Sequence, residues 1–156
     1  MTEQDGTARD RDETLPPGFG AFTTPSGFSG LVGPIYDDVG DGSVARRGFR
    51  VQDKHINRAG IAHGGMLMTF ADVLLARRVR AAGVGPAVTV RMTSDFLGPA
   101  RLGDWVEGTA RVTRSTESLV FVEAEIRAGG HAVMTASGIF RRIRPRRGLE
   151  APATAD

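Results

Sequence analysis

The stretch "HINRAGIAHGGMLMTFADVLLA", His55 to Ala76, decides the reading of this chain. It passes from a polar loop punctuated by glycine into a strongly apolar segment. At helical spacing Met66, Leu67, Phe70, Ala71, Leu74 and Leu75 occupy more than half the circumference, and Met68 and Val79 extend that surface. A helix so apolar must be wrapped by other structure. Arg77, Arg78 and Arg80 mark its return to water, and Gly83 and Gly85-Pro86 stop it, so it is expected over roughly residues 65–82. Asp72 breaks the pattern, a lone carboxylate among methionine, leucine, phenylalanine and valine.

The flanks read as strands. "PIYDDV" and "SVARRGFRVQ" stand on either side of "GDG" and predict a hairpin. After the helix, Val88, Val90, Met92 and Phe96 alternate with Thr89, Arg91, Thr93 and Asp95. Val106, Ala110 and Val112 share one face of the next run, with Trp105 on the other. Val120, Val122, Ala124 and Ile126 then stand opposite Glu123, Glu125 and Arg127, and "HAVMTASGIFRRI" supplies a last strand. Connections this short imply antiparallel neighbours. The class is α+β: one antiparallel sheet curled around one long central helix. Residues 1–30 are expected to be a flexible tail and an irregular arm with one short helical turn. Residues 31–144 form the domain, and residues 145–156 a second flexible tail.

Composition narrows the function. With 156 residues, 40% of them hydrophobic, the chain fits one domain with a substantial core. It has no cysteine, which excludes disulfides, zinc–thiolate sites and cysteine nucleophiles. A net charge of +2 is too small for a strongly basic nucleic-acid binder. No apolar run spans a bilayer, and "MTEQDGTARDRDE" lacks a signal-peptide layout. A soluble cytoplasmic protein is expected.

Asn57, Gly60, His63, Gly64, Gly65 and Asp72 form N-x-x-G-x-x-H-G-G, six residues and D. Placed before a buried helix, this spacing resembles the hotdog-fold acyl-CoA thioesterases, most of all the PaaI-like branch that includes hydroxybenzoyl-CoA thioesterases. "FLGPARLGDWVEG" resembles that family's connection between its third and fourth strands. The likeness covers roughly residues 33–143. It implies hydrolysis of an acyl-CoA to free acid and coenzyme A, without metal or cofactor. By position, Asp72 is the general base or nucleophile, and Gly64 or Gly65 donates an N–H to the thioester oxygen. Asn57 positions the water or the carbonyl, His63 orders the loop, and Thr89 falls where relatives carry a residue that holds the water.

Elementary chemistry supports that carry-over. Thioester hydrolysis needs an activated water beside the carbonyl and positive dipoles where the oxyanion grows. A helix N-terminus supplies unpaired N–H groups, and glycine lets a substrate approach the backbone. Geometry adds a constraint. Gly65 and Asp72 are separated by about 10 Å of helix rise, whereas a carbonyl carbon and oxygen lie about 1.2 Å apart. Two antiparallel helices related by a two-fold axis can aim both groups at one thioester, so a homodimer with shared sites is expected, alone or within a tetramer.

Other readings stand beside this one. Asp72 can be a structural acid, His63 a loop-ordering donor, and the glycines a tight turn. Alternation places Thr89 opposite Val88 and Val90, where it would face solvent or another subunit. Arg141, Arg142 and Arg144 either meet coenzyme A phosphates or belong to a solvated tail. His55 and His131 are expected at exposed strand ends or turns. The rival functions are a non-catalytic acyl-CoA-binding module and a dehydratase on the same fold. Dehydratases pair a histidine with an acid in motifs absent here.

Overall fold

The computed structural model describes residues 15–20, 27–40 and 45–143. The apolar stripe becomes helix α2, Gly64–Ala81. Met66, Leu67, Phe70, Ala71, Leu74, Leu75 and Val79 are all buried. Met68 departs from expectation and is 40% exposed. With Gly65 and Ala76, both exposed, it marks the one stripe of α2 that the sheet leaves open.

Among the described residues six strands surround this helix: β1 (Tyr36–Asp37), β2 (Ala45–Arg50), β3 (Ala87–Phe96), β4 (Trp105–Ser115), β5 (Leu119–Ala128) and β6 (His131–Arg142). They form one antiparallel sheet in the order β1-β2-β4-β5-β6-β3. The expected hairpin is β1–β2. The helical turn in the arm is α1, Gly27–Val32. Among the described residues no helix is long and apolar enough to cross a membrane.

Two glycines let the sheet close on the helix. A methyl group on Gly108 would come within 2.6 Å of Leu74, and one on Gly138 within 3.1 Å of Leu75. Both leucines are fully buried in consequence, each worth about 1.5–3 kcal/mol of apolar transfer.

The far end of α2 is tied by charge. The Asp37 carboxylate accepts from Arg47 Nε and Nη2 at 2.7 and 3.1 Å, and from Arg77 Nε at 3.4 Å. Arg77 therefore does not simply lead the helix into water, as its place in the sequence suggested. It joins α2 to the β1–β2 hairpin.

Strand β3 departs from its expected alternation. Thr89 pairs with Phe140 and Arg91 with Ile139, which leaves Val90 as an extra, bulged residue. A bulge reverses which residues face which side. Thr89 consequently shares a face with Met92, Ser94 and Phe96, opposite the buried Phe140, Gly138, Ala136 and Met134. Val88 and Val90, expected inside, are 48% and 58% exposed.

Candidate active site

The loop before α2 is built around Asn57. Its Oδ1 accepts from the Ala59 N–H at 2.9 Å and, more weakly, from Ile61 N–H at 3.5 Å. The Asn57 carbonyl accepts from Gly60 N–H at 3.0 Å. Gly60 turns at φ +73°, a left-handed conformation that favours glycine. Because backbone N–H groups can only donate, the amide oxygen of Asn57 is fixed toward the loop. Among the described residues its NH2 has no partner, which leaves it to a ligand.

His63 caps the helix. Its Nδ1 accepts from Gly65 N–H at 2.9 Å, while its carbonyl accepts from Met66 and Leu67 N–H at 2.9 and 3.2 Å. A helix start leaves several N–H groups without helical partners. Of the N–H groups of Gly64, Gly65, Met66 and Leu67, the last three have these partners, and among the described residues only that of Gly64 is left with none. The two candidate oxyanion donors are thus not equivalent: Gly65 is engaged, and Gly64 has no partner among the described residues. Phe96 lies against Gly64, 3.2 Å from where a methyl group would sit.

Asp72 is half-buried on the open stripe of α2. Thr89 Oγ1 donates to its Oδ1 at 2.7 Å. The bulge at Val90 makes that contact: Thr89 is exposed, but it stands on the Asp72 side of the sheet and not on the side with Val88 that alternation gave it. The structure brings together Asp72 with Thr89, and His63 with Gly64 and Gly65. Along the helix the two groups stand about 12 Å apart.

The arginines lie elsewhere. Arg141 is exposed and pairs with Val88 on the sheet face turned away from Asp72. Arg142 donates to Ser115 Oγ at 2.8 Å. Arg144 falls outside the described residues. Among the described residues no three His, Asp or Glu side chains converge as a metal site.

His55 is a correction and was missed. It is 2% exposed, not at a solvated turn. Its Nδ1 accepts from Gln52 N–H at 3.0 Å, and its Nε2 donates to Val32 O at 2.7 Å. Its carbonyl also accepts His63 N–H at 2.7 Å, so it fastens α1 and the capping loop together. Burial pushes its pKa below the ordinary histidine value, aided by Lys54 and opposed by its backbone hydrogen bonds. No local signal in the sequence marked it, since its partner Val32 lies twenty-three residues away. His131 is exposed as expected.

The thioesterase superfamily description matches residues 59–135. A protein of Pseudomonas aeruginosa named as an esterase is 36% identical over 128 residues, covering 81% of this chain and 96% of that protein. Acyl-coenzyme A thioesterase 13 of Mus musculus is 27% identical over 79 residues, 50% of this chain and 56% of that one. Among solved structures, the Escherichia coli PaaI protein from the phenylacetic acid degradation operon is 28% identical with a TM-score of 0.62. That match covers 65% of this chain and 73% of the other. The chain belongs to the thioesterase superfamily. It is a hotdog-fold thioester hydrolase.

Proposed function

We propose that this chain hydrolyses an acyl-CoA to the free acid and coenzyme A, in the cytoplasm, as a homodimer whose two sites each draw on both chains. The observation that carries the reading is the Asp72 carboxylate, held by Thr89 on the open stripe of the central helix. The name of the mouse relative favours coenzyme A as the thiol.

In this reading Asp72 takes a proton from water, with Thr89 on Oδ1 and Oδ2 left to face the water. The hydroxide oxygen bonds to the thioester carbonyl carbon. The carbonyl electron pair moves to its oxygen, which the free Gly64 N–H and the Asn57 NH2 hold. Collapse breaks the carbon–sulfur bond, and the proton on Asp72 passes to the departing sulfur. Water and thioester become acid and thiol, and the carboxylate is restored. His63 and Gly65 keep the helix start in shape.

Two observations support sharing between chains. Gly64 and Asp72 of one helix are too far apart for one carbonyl group, at about 12 Å of rise. Strand β3 is a sheet edge ten residues long with Val88, Val90 and Phe96 about half exposed. Such an edge is a template for pairing with a second copy.

The test is thiol release from short, long and aromatic acyl-CoAs by the wild type and Asp72→Asn. The variant should fold, bind substrate and lose about two to four orders of magnitude in turnover. Near wild-type turnover by Asp72→Asn would remove Asp72 from the chemistry. Binding without turnover by the wild type would leave only an acyl-CoA-binding role.

A further inference from the structure

Gly64 is a glycine for a reason outside its own backbone. It begins α2 in helical geometry and not at positive φ, so an alanine could follow the same path. A methyl group there would instead run into one side chain, standing 3.2 Å from Phe96 Cζ and 3.4 Å from its Cε1. At Gly65 the corresponding neighbour is the His63 ring, with Nδ1 at 3.0 Å. The two glycines therefore make room for different partners: Gly65 for the cap, and Gly64 for an aromatic ring laid on the helix start.

That ring is delivered by β3 and held firmly at its root. Phe96 is the last residue of the strand and pairs with the buried Met134 of β6. Just beyond it the Leu97 and Gly98 N–H groups both donate to Val133 O, at 2.8 and 3.3 Å. The same face of β3 carries Thr89, whose hydroxyl meets Asp72. One strand thus reaches both halves of the proposed chemistry, the carboxylate through Thr89 and the oxyanion donor through Phe96. Phe96 is nonetheless 53% exposed, so it gains little from the core. Its ring has no hydrogen bond to offer. What it can do is keep water from one side of the Gly64 N–H, which has no partner among the described residues. A donor aimed at a developing oxyanion is worth more where water is excluded.

We propose that Phe96 is a positioning residue for thioester hydrolysis: its ring, seated on Gly64, shields the Gly64 N–H from water and so strengthens its hold on the oxyanion. The inference rests on the reading of Gly64 as the oxyanion donor of the proposed function. It gives position 64 a requirement that helix propensity opposes, since alanine is the better helix former. Glycine there makes room for the ring, and the ring serves the chemistry.

The experiment uses the full chain and whichever of hexanoyl-CoA, dodecanoyl-CoA and benzoyl-CoA the wild type cleaves fastest. Phe96→Ala should lower kcat about tenfold, with KM within about threefold of wild type. Phe96→Tyr should restore most of the loss. Gly64→Ala should lower kcat by a similar factor, because its methyl lifts the ring. It adds one carbon to a helix start, which keeps the test informative if Phe96→Ala fails to fold. The double variant should be no slower than Phe96→Ala alone, since the methyl then has nothing to displace. In an Asp72→Asn background, Phe96→Ala should move the infrared carbonyl band of the bound thioester toward its free-solution position. A ring with a purely structural part would leave that band in place. Unchanged kcat in both Phe96→Ala and Gly64→Ala overturns this inference and spares the thioesterase reading. Losses that multiply in the double variant show the two residues acting separately and overturn it too, as does a change confined to KM. A kcat loss accompanied by loss of the dimer on size exclusion gives Phe96 to a subunit contact instead. Absence of thiol release from all three acyl-CoAs defeats the site reading, and this inference falls with it.

Discussion

Thr89 Oγ1 lies 2.7 Å from Asp72 Oδ1 and joins edge strand β3 to the open stripe of helix α2. A hydroxyl has one proton to give, so this contact fixes the threonine rotor and commits one carboxylate oxygen. The other oxygen is free to meet water. The bulge at Val90 is what turns Thr89 to that side.

Removing that donor should affect chemistry more than binding. Hydrogen bonds to charged groups contribute about 1.5–3 kcal/mol, so Thr89→Val should lower kcat on the order of tenfold to a hundredfold with KM little changed. Thr89→Ser should recover most of the loss. A fall confined to KM would make Thr89 a substrate contact, and wild-type kinetics in Thr89→Val would leave the hydrogen bond without a catalytic part.

The Asp37 junction should make the fold acid-sensitive. Burial alone pushes the Asp37 carboxyl up, but the hydrogen bonds and charges of Arg47 and Arg77 outweigh it and hold the group below its ordinary value of 3.8. The folded state thus binds this proton less readily than the unfolded chain. Its stabilisation is fully present above that ordinary value and drains away as pH falls through the lower folded value. Asp37→Asn should cost about 1–3 kcal/mol near neutral pH. Its Tm should also fall less steeply than the wild type's below about pH 4. Parallel Tm curves would show that the pair adds nothing across this range.

His55 acts in a higher window. Its folded pKa is depressed below 6.5, so the unfolded chain takes up a proton first. Stability from neutral His55 is intact above that value and is lost as pH drops toward the folded pKa. Protonation also removes the Nδ1 lone pair that receives Gln52 N–H. His55→Leu should be less stable by about 2–5 kcal/mol, since it strands the Gln52 N–H and the Val32 carbonyl. Its Tm should vary less than the wild type's between pH 7 and 5. If the variant keeps the full wild-type slope, His55 is not the group responsible.

What the sequence revealed follows the range of each signal. The periodicity from Met66 to Leu75 exposed the central helix because its burial repeats every turn. Strands β4 and β5 kept their predicted faces because Val106, Ala110, Val120, Val122, Ala124 and Ile126 meet one continuous core. The spacing of Asn57, His63, Gly64 and Asp72 is local, so these candidate residues could be picked out along the sequence. Alternation turned Thr89 away from the place that the motif gave it, because one inserted residue reverses a period of two and alternation has no means of announcing a bulge. His55 was misplaced because its partner Val32 lies twenty-three residues away. The unequal standing of Gly64 and Gly65 depends on a side-chain rotamer of His63, which no spacing encodes.

The shared site can be tested without a structure of the dimer. If Asp72 acts from one chain while Asn57 and Gly64 act from the other, two inactive variants should complement. Asp72→Ala and Asn57→Ala are mixed under conditions in which subunits exchange. A mixed dimer holds one doubly damaged site and one intact site. Random exchange makes about half the dimers mixed, so roughly a quarter of wild-type activity should return. If both residues serve the same site from one chain, every site stays damaged and no activity appears. Mass spectrometry of the mixture verifies exchange. Exchange without recovered thiol release would refute the cross-chain arrangement, and the helix separation of Gly64 and Asp72 would then need a substrate lying along α2.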